Sequence, residues 1–133
     1  MTDHELAARL ATAAGELLLG VRVEFADAEA GERKAAGDKR AHHFLMEALA
    51  AERPDDAVLS EEASEEEKAN SRRLTANRVW IVDPLDGTRE FSELGREDWA
   101  VHVALWEEGE LVAGAVALPA QGVTLATPNV AAP

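Results

Sequence analysis

A chain of 133 residues, 47% of them apolar and 29% charged, is long enough to fold around one core. Its 26 acidic and 13 basic residues leave a formal net charge of −13, which excludes a generic binder of nucleic-acid backbones or anionic membranes. The complete lack of cysteine excludes disulfides and thiolate metal sites, and no apolar run approaches the roughly 20 residues that span a bilayer. A small phosphate ester stays open as a substrate, because bound metal ions reverse the local sign of charge. The start, Met-Thr-Asp-His-Glu, has neither a basic segment nor a signal-like apolar stretch, so a soluble cytoplasmic protein is expected.

Thr2-Asp-His-Glu5 reads as a capping box, and Leu6, Leu10, Ala14, Leu17 and Val21 recur at helical spacing, which predicts a helix over about residues 3–24. Residues 25–37 are rich in Ala, Gly, Asp and Glu without apolar periodicity and read as an exposed loop. A second helix is expected to start at Asp38, its buried face marked by Ala41, Phe44, Leu45, Ala48 and Leu49. Pro54-Asp-Asp56 makes a turn, Ala57–Ser60 a short strand, and residues 61–77 an acidic and polar loop. Residues 78–82 are a buried strand, residues 99–106 another, and Glu107-Glu-Gly-Glu110 a hairpin turn into a strand over 111–118. A turn at 119–122 and a strand at 123–127 follow. Two helices and then an antiparallel meander give an α+β fold, with helices packed on a largely antiparallel sheet that leaves a face or an edge uncovered.

The chemistry concentrates in Trp80-Ile-Val-Asp83-Pro-Leu-Asp86-Gly-Thr88, where an apolar strand runs into two aspartates three positions apart. Magnesium takes oxygen ligands and keeps several waters, so a few carboxylates and a substrate phosphate suffice to hold it. Asp83, Asp86 and the Leu85 carbonyl between them are candidate ligands, and Glu61, closing the preceding strand, can complete the set. If a short helix opens at Gly87, the N–H groups of Gly87 and Thr88 face an anion. The Thr88 hydroxyl can then hold a water, and Asp38 is a candidate to orient that hydroxyl. Blander readings stand beside these: Asp38 as a plain N-cap, the acidic run of residues 61–67 as a solvated face, and Asp83-Pro-Leu-Asp86-Gly as an Asx/Pro turn. His42, His43 and His102 lack zinc-ligand spacing and read as structural or surface residues, and Trp80, Trp99 and Trp106 read as core.

This motif, with Ser60-Glu-Glu62 upstream, closely resembles the inositol monophosphatase superfamily, and Arg89-Glu-Phe91 is most similar to its CysQ-like branch, the 3′(2′),5′-bisphosphate nucleotidases. Pro54-Asp-Asp-Ala-Val-Leu-Ser-Glu-Glu62 and Asp98-Trp-Ala-Val-His-Val-Ala-Leu105 share the likeness, which runs from about Leu6 to Thr127. The resemblance implies the first half of a layered α/β/α/β/α fold, with residues 1–133 as an N-terminal metal- and phosphate-binding domain and the second domain absent. It implies a magnesium-dependent phosphomonoesterase with two or three ions, inhibited by lithium. Its substrate would be 3′-phosphoadenosine 5′-phosphate, converted to AMP and phosphate by a magnesium-activated water in the context of sulfate assimilation. Glu61, Asp83, the Leu85 carbonyl and Asp86 would be metal ligands, and Glu62 a weaker or outer ligand. Gly87 and Thr88 would bind phosphate; Asp38, Thr88 and Glu61 would serve catalysis.

The family continues into a half carrying a Trp-Asp-x-x-Ala/Gly motif, whose aspartate is a ligand of the second metal. Nothing after Thr127 supplies it, and Leu125 stands where many relatives carry an aromatic residue. The lone chain is therefore expected to be an incomplete phosphatase. The alternatives are an inositol or sugar monophosphatase and a non-catalytic half that binds metal or a partner chain. A homodimer fits the resemblance; nucleic acid and membrane are not expected partners.

Overall fold

The computed structural model describes residues 1–61 and 77–128. Helix α1 (Asp3–Glu24) opens as the capping box predicts: the Thr2 hydroxyl oxygen accepts from the Glu5 N–H at 3.1 Å. The Glu5 carboxylate accepts from that same hydroxyl rather than from the Thr2 N–H. Its stripe Leu6, Leu10, Ala14, Leu18 and Val21 is buried.

Helix α2 (Ala30–Glu52) starts eight residues before the expected Asp38, which lies inside it and is not its N-cap. The physical reason is that its buried stripe, Arg33-Gly37-Ala41-Leu45-Leu49, opens with an arginine and a glycine, which carry no apolar signal. Arg33 is buried because its guanidinium donates to four carbonyls: Phe25, Ala26, Ala28 and Ser92. Gly37 is buried because Phe91 packs where its side chain would be.

Strands β1 (Ala57–Ser60), β2 (Arg78–Asp86), β3 (Ala100–Glu107), β4 (Glu110–Leu118) and β5 (Val123–Ala126) lie side by side in chain order. β1 runs parallel to β2 and every later pair is antiparallel, so the α+β expectation holds. β2 does not end at Val82: it continues through the expected Asp83–Asp86 turn, with a bulge between those two residues. Pro84 has no N–H to give a ladder, and an irregular register is where a strand tolerates it. Glu108 and Gly109, both at positive φ (51° and 83°), close the β3–β4 hairpin. The short helix α3 (Thr88–Ser92) joins β2 to β3.

Both helices cover one sheet face, burying Trp80, Val82, Val101, Val103, Leu105 and Ala115 against α1 and α2. The other face carries His102, Ala104, Val116 and Leu125, and it includes Trp106, 38% exposed rather than in the core as expected. Among the described residues no helix is long and apolar enough to cross a membrane. Glu62 and most of the 61–77 loop lie outside the described residues.

One polar knot ties the helices to the far end of the sheet. Arg78 donates to Asp3, Asp56 and Glu107, while Arg53 donates to Asp3 and the Trp80 indole N–H to Asp56. Burial raises the Asp3 carboxyl, but hydrogen bonds from Arg78 and then Arg53 outweigh it and hold it below its ordinary range. Arg78→Ala strips three carboxylates of a partner at once and is expected to cost about 2–3 kcal/mol in urea unfolding. The Asp3 contribution is present above its ordinary value of 3.8 and is lost as pH falls through the lowered native value. The parent should therefore lose stability toward the variant's level in that acid range.

Candidate active site

The parallel register of β1 on β2 builds the centre. Ser60 lies opposite Val82, and the Glu61 N–H donates to the Val82 carbonyl at 3.0 Å. Glu61 therefore follows β1 at the level where Asp83 follows Val82. Asp83 pairs across the sheet with His102, and Asp86 lies beyond the bulge opposite Ala100. The strand thus delivers Asp83, the buried Leu85 and Asp86 to the end of the sheet where Glu61 emerges.

The electrostatics record this crowding. Burial pushes the Asp83 carboxyl up, and the Asp86 charge pushes the same way; His102 and the Leu85 N–H pull it down, and Glu61 adds a further upward push. An aspartate whose ionised form is disfavoured by burial and by two neighbouring carboxylates, beside a main-chain carbonyl, belongs to a donor set of the kind a hard divalent cation relieves. In the geometry seen, Asp86 turns to His102, Nε2 to Oδ2 at 2.9 Å. Among the described residues no three His, Asp or Glu side chains are drawn tightly enough together to hold a metal ion. These residues thus share one end of the sheet, and their closure around an ion is not part of this geometry.

Gly87 caps α3 in the left-handed region, φ 84°. A Cβ there would lie 3.2 Å from the Asp98 carbonyl oxygen and 3.3 Å from Trp99 Cα, so both conformation and space call for glycine. Beside it opens a cleft of about 560 Å³ lined by Asp86, Gly87, Glu90, Asp98 and Trp99. Thr88 is the first helical residue of α3.

Asp38 comes to this end of the molecule from α2, bracketed by two contacts. Its neighbour Gly37 packs on Phe91, three residues after Thr88. His42, one turn on, bonds Ser60, with Nδ1 to Oγ at 2.8 Å, immediately before Glu61. One carboxylate oxygen of Asp38, Oδ1, is buried.

The sequence reading gave His102 a structural or surface role and passed over Arg22 and Arg33. His102 is an isolated histidine in an alternating strand, and only the β2–β3 register shows that it faces Asp83. Arg22 and Arg33 hold the end of α3; the signal for Arg33 was its four-residue spacing to Gly37, Ala41, Leu45 and Leu49.

A sequence profile of the inositol monophosphatase family matches residues 2–130. A 3′-phosphoadenosine 5′-phosphate phosphatase of Mycobacterium leprae is 53% identical over 131 residues, 92% of this chain and 47% of that protein. A 3′(2′),5′-bisphosphate nucleotidase CysQ of Salmonella typhimurium is 37% identical over 120 residues, 86% of this chain and 47% of that protein. Among solved structures, SuhB of Mycobacterium tuberculosis superposes with a TM-score of 0.73 at 28% identity, covering 93% of this chain and 43% of that one. The chain spans about half the length of the curated relatives it matches.

Proposed function

Because the chain belongs to the inositol monophosphatase family, we propose that it carries the catalytic half-site of a magnesium-dependent phosphomonoesterase that removes the 3′-phosphate of 3′-phosphoadenosine 5′-phosphate. The observation that supports this most is the register that puts Glu61 beside Asp83, with Asp86, Gly87 and Thr88 following on the same strand and turn. The names of the M. leprae and S. typhimurium relatives support the nucleotide over an inositol or sugar phosphate.

In this reading Glu61, Asp83, the Leu85 carbonyl and Asp86 would hold divalent cations. Cations bound there would supply charge neutralisation of the phosphate and a more acidic water. The chain's own groups do the rest. The N–H groups of Gly87 and Thr88 donate to phosphate oxygens and turn phosphorus toward the carboxylates. The Thr88 hydroxyl holds the attacking water and, as the new P–O bond forms, takes its proton while passing its own to the Asp38 carboxylate. The opposite P–O bond breaks, and the 3′ oxygen leaves and is protonated by solvent. The reaction needs no oxidant or cofactor beyond the cation and water, which suits a cytoplasmic enzyme acting on a small nucleotide.

Phosphate release measured on the adenosine bisphosphate, with magnesium and with or without lithium, tests this. Release that lithium suppresses, at a rate at least about tenfold above that for inositol 1-phosphate, is the expected result. The reverse preference would hand the site to the inositol or sugar phosphatases. A second reading, a non-catalytic module that binds metal or a partner chain, is favoured by Asp86 turning to His102, with no three acidic or histidine side chains among the described residues closed around one point. Magnesium binding by calorimetry without any phosphate release would select it.

A further inference from the structure

α3 is five residues long, about 8 Å, and its far end is held in an unusual way. Arg22 donates through Nε to the Phe91 carbonyl at 2.9 Å and through Nη2 to the carbonyls of Glu90 and Glu93 at 3.0 and 3.1 Å. Arg33 donates through Nη1 to the Ser92 carbonyl at 2.5 Å, and its remaining bonds grip Phe25, Ala26 and Ala28 in the α1–α2 connection. Arg22 also lies over the rings of Phe91 and Trp99, at 5.3 and 4.9 Å. Among the described residues neither guanidinium pairs with a carboxylate, although the chain carries twice as many acids as bases. Burial, together with the neighbouring Arg33 charge, lowers the proton affinity of Arg22.

We infer that Arg22 and Arg33 are positioning residues for phosphate: two helices clamp the carbonyl end of α3 and so fix where Gly87 and Thr88 present their N–H groups. This rests on the phosphate role given to Gly87 and Thr88 above. Neutral donors would satisfy the same carbonyls without setting two cations side by side. The arrangement suits a segment whose other end receives an anion, since both charges then lie one short helix away from it, where attraction still acts through partly buried protein. The guanidinium fork matters too, because each arginine spans several carbonyls at once and a lysine cannot.

The test is calorimetry of inorganic phosphate into the chain at saturating magnesium, with Arg33→Lys and Arg22→Lys beside the parent. Each variant keeps the charge and loses the fork. Phosphate affinity is expected to fall about 10-fold in each, with magnesium affinity held within about twofold, because Glu61, Asp83 and Asp86 are not touched. A merely structural role would lower both affinities together or neither, and either result overturns the inference. If neither variant folds, amide exchange in the parent decides: phosphate must slow residues 90–93, and unchanged exchange overturns the clamp. A parent that binds magnesium and no phosphate overturns the phosphate reading and the clamp with it. Variants that bind phosphate like the parent overturn the clamp alone.

Discussion

Asp83→Asn is expected to weaken magnesium binding on the order of 100-fold and, in the metal-free protein, to raise Tm by about 3 °C. The two effects have one cause. Asp83 sits where burial and the charges of Asp86 and Glu61 all disfavour its ionised form, so the native carboxyl titrates above its ordinary value of 3.8. At neutral pH the folded chain holds that charge at a cost, and asparagine removes it while keeping the shape. The sign of the pH dependence follows. A raised native value makes folding gain from protonation, so the parent's deficit is full above that raised value and closes as pH falls below 3.8. Melts in chelator from pH 3 to 7 should converge at the acid end, while calorimetry at pH 7 reads the lost affinity. An Asp83→Asn protein no more stable than its parent at pH 7 would mean that burial and the neighbouring carboxylates do not disfavour the Asp83 charge, and the case for a shared cation would go.

How far this site was legible without coordinates depends on what each residue signals locally. α1 was legible because its cap and its apolar stripe are local features, and the β3–β4 hairpin because glycine and a polar tip mark a turn. The start of α2 was not, because its buried face begins with Arg33 and Gly37; each makes sense only once the carbonyls and the ring it meets are in place. The course of β2 was misread for a related reason. Proline and two aspartates spell a turn locally, yet the cross-strand partner carries the strand through with a bulge. Pairing overrides local preference there, as it commonly does in sheets.

The motif residues themselves were readable because they are contiguous. Their neighbours were not. His102 reaches Asp86 from 16 positions away, and Arg22 reaches the carbonyls of Glu90 and Phe91 from nearly 70. Trp106 was assigned to the core on residue type alone, but alternation along β3 sends it to the face opposite Leu105. Composition says that a tryptophan is costly to expose; only register says which face it takes.

Gly37→Ala should lower stability by about 2 kcal/mol, a Tm loss of roughly 8 °C, although the same change in an open helix stabilises. A Cβ at Gly37 would meet Phe91 Cε2 at 2.6 Å and Cζ at 3.0 Å, with Leu18 Cδ2 at 3.3 Å. Phe91 has nowhere to retreat: it is fully buried, its ring stands edge-on to Trp99 at 5.0 Å, and Arg22 lies over it. The helical gain of about 0.5–1 kcal/mol from glycine to alanine is therefore outweighed by overpacking. Gly20→Ala is the control within the same fold. That position is helical, with nothing within 4 Å of a new Cβ, so it should gain the 0.5–1 kcal/mol intact. The functional consequence travels the same contact. Phe91 is three residues from Thr88, so pushing it away from α2 moves the α3 segment relative to Asp38. Gly37→Ala should thus lose phosphate affinity more than magnesium affinity, and Gly20→Ala neither. Equal melting shifts in the two variants would show that Phe91 gives way freely, and that α2 does not set the distance between Asp38 and Thr88.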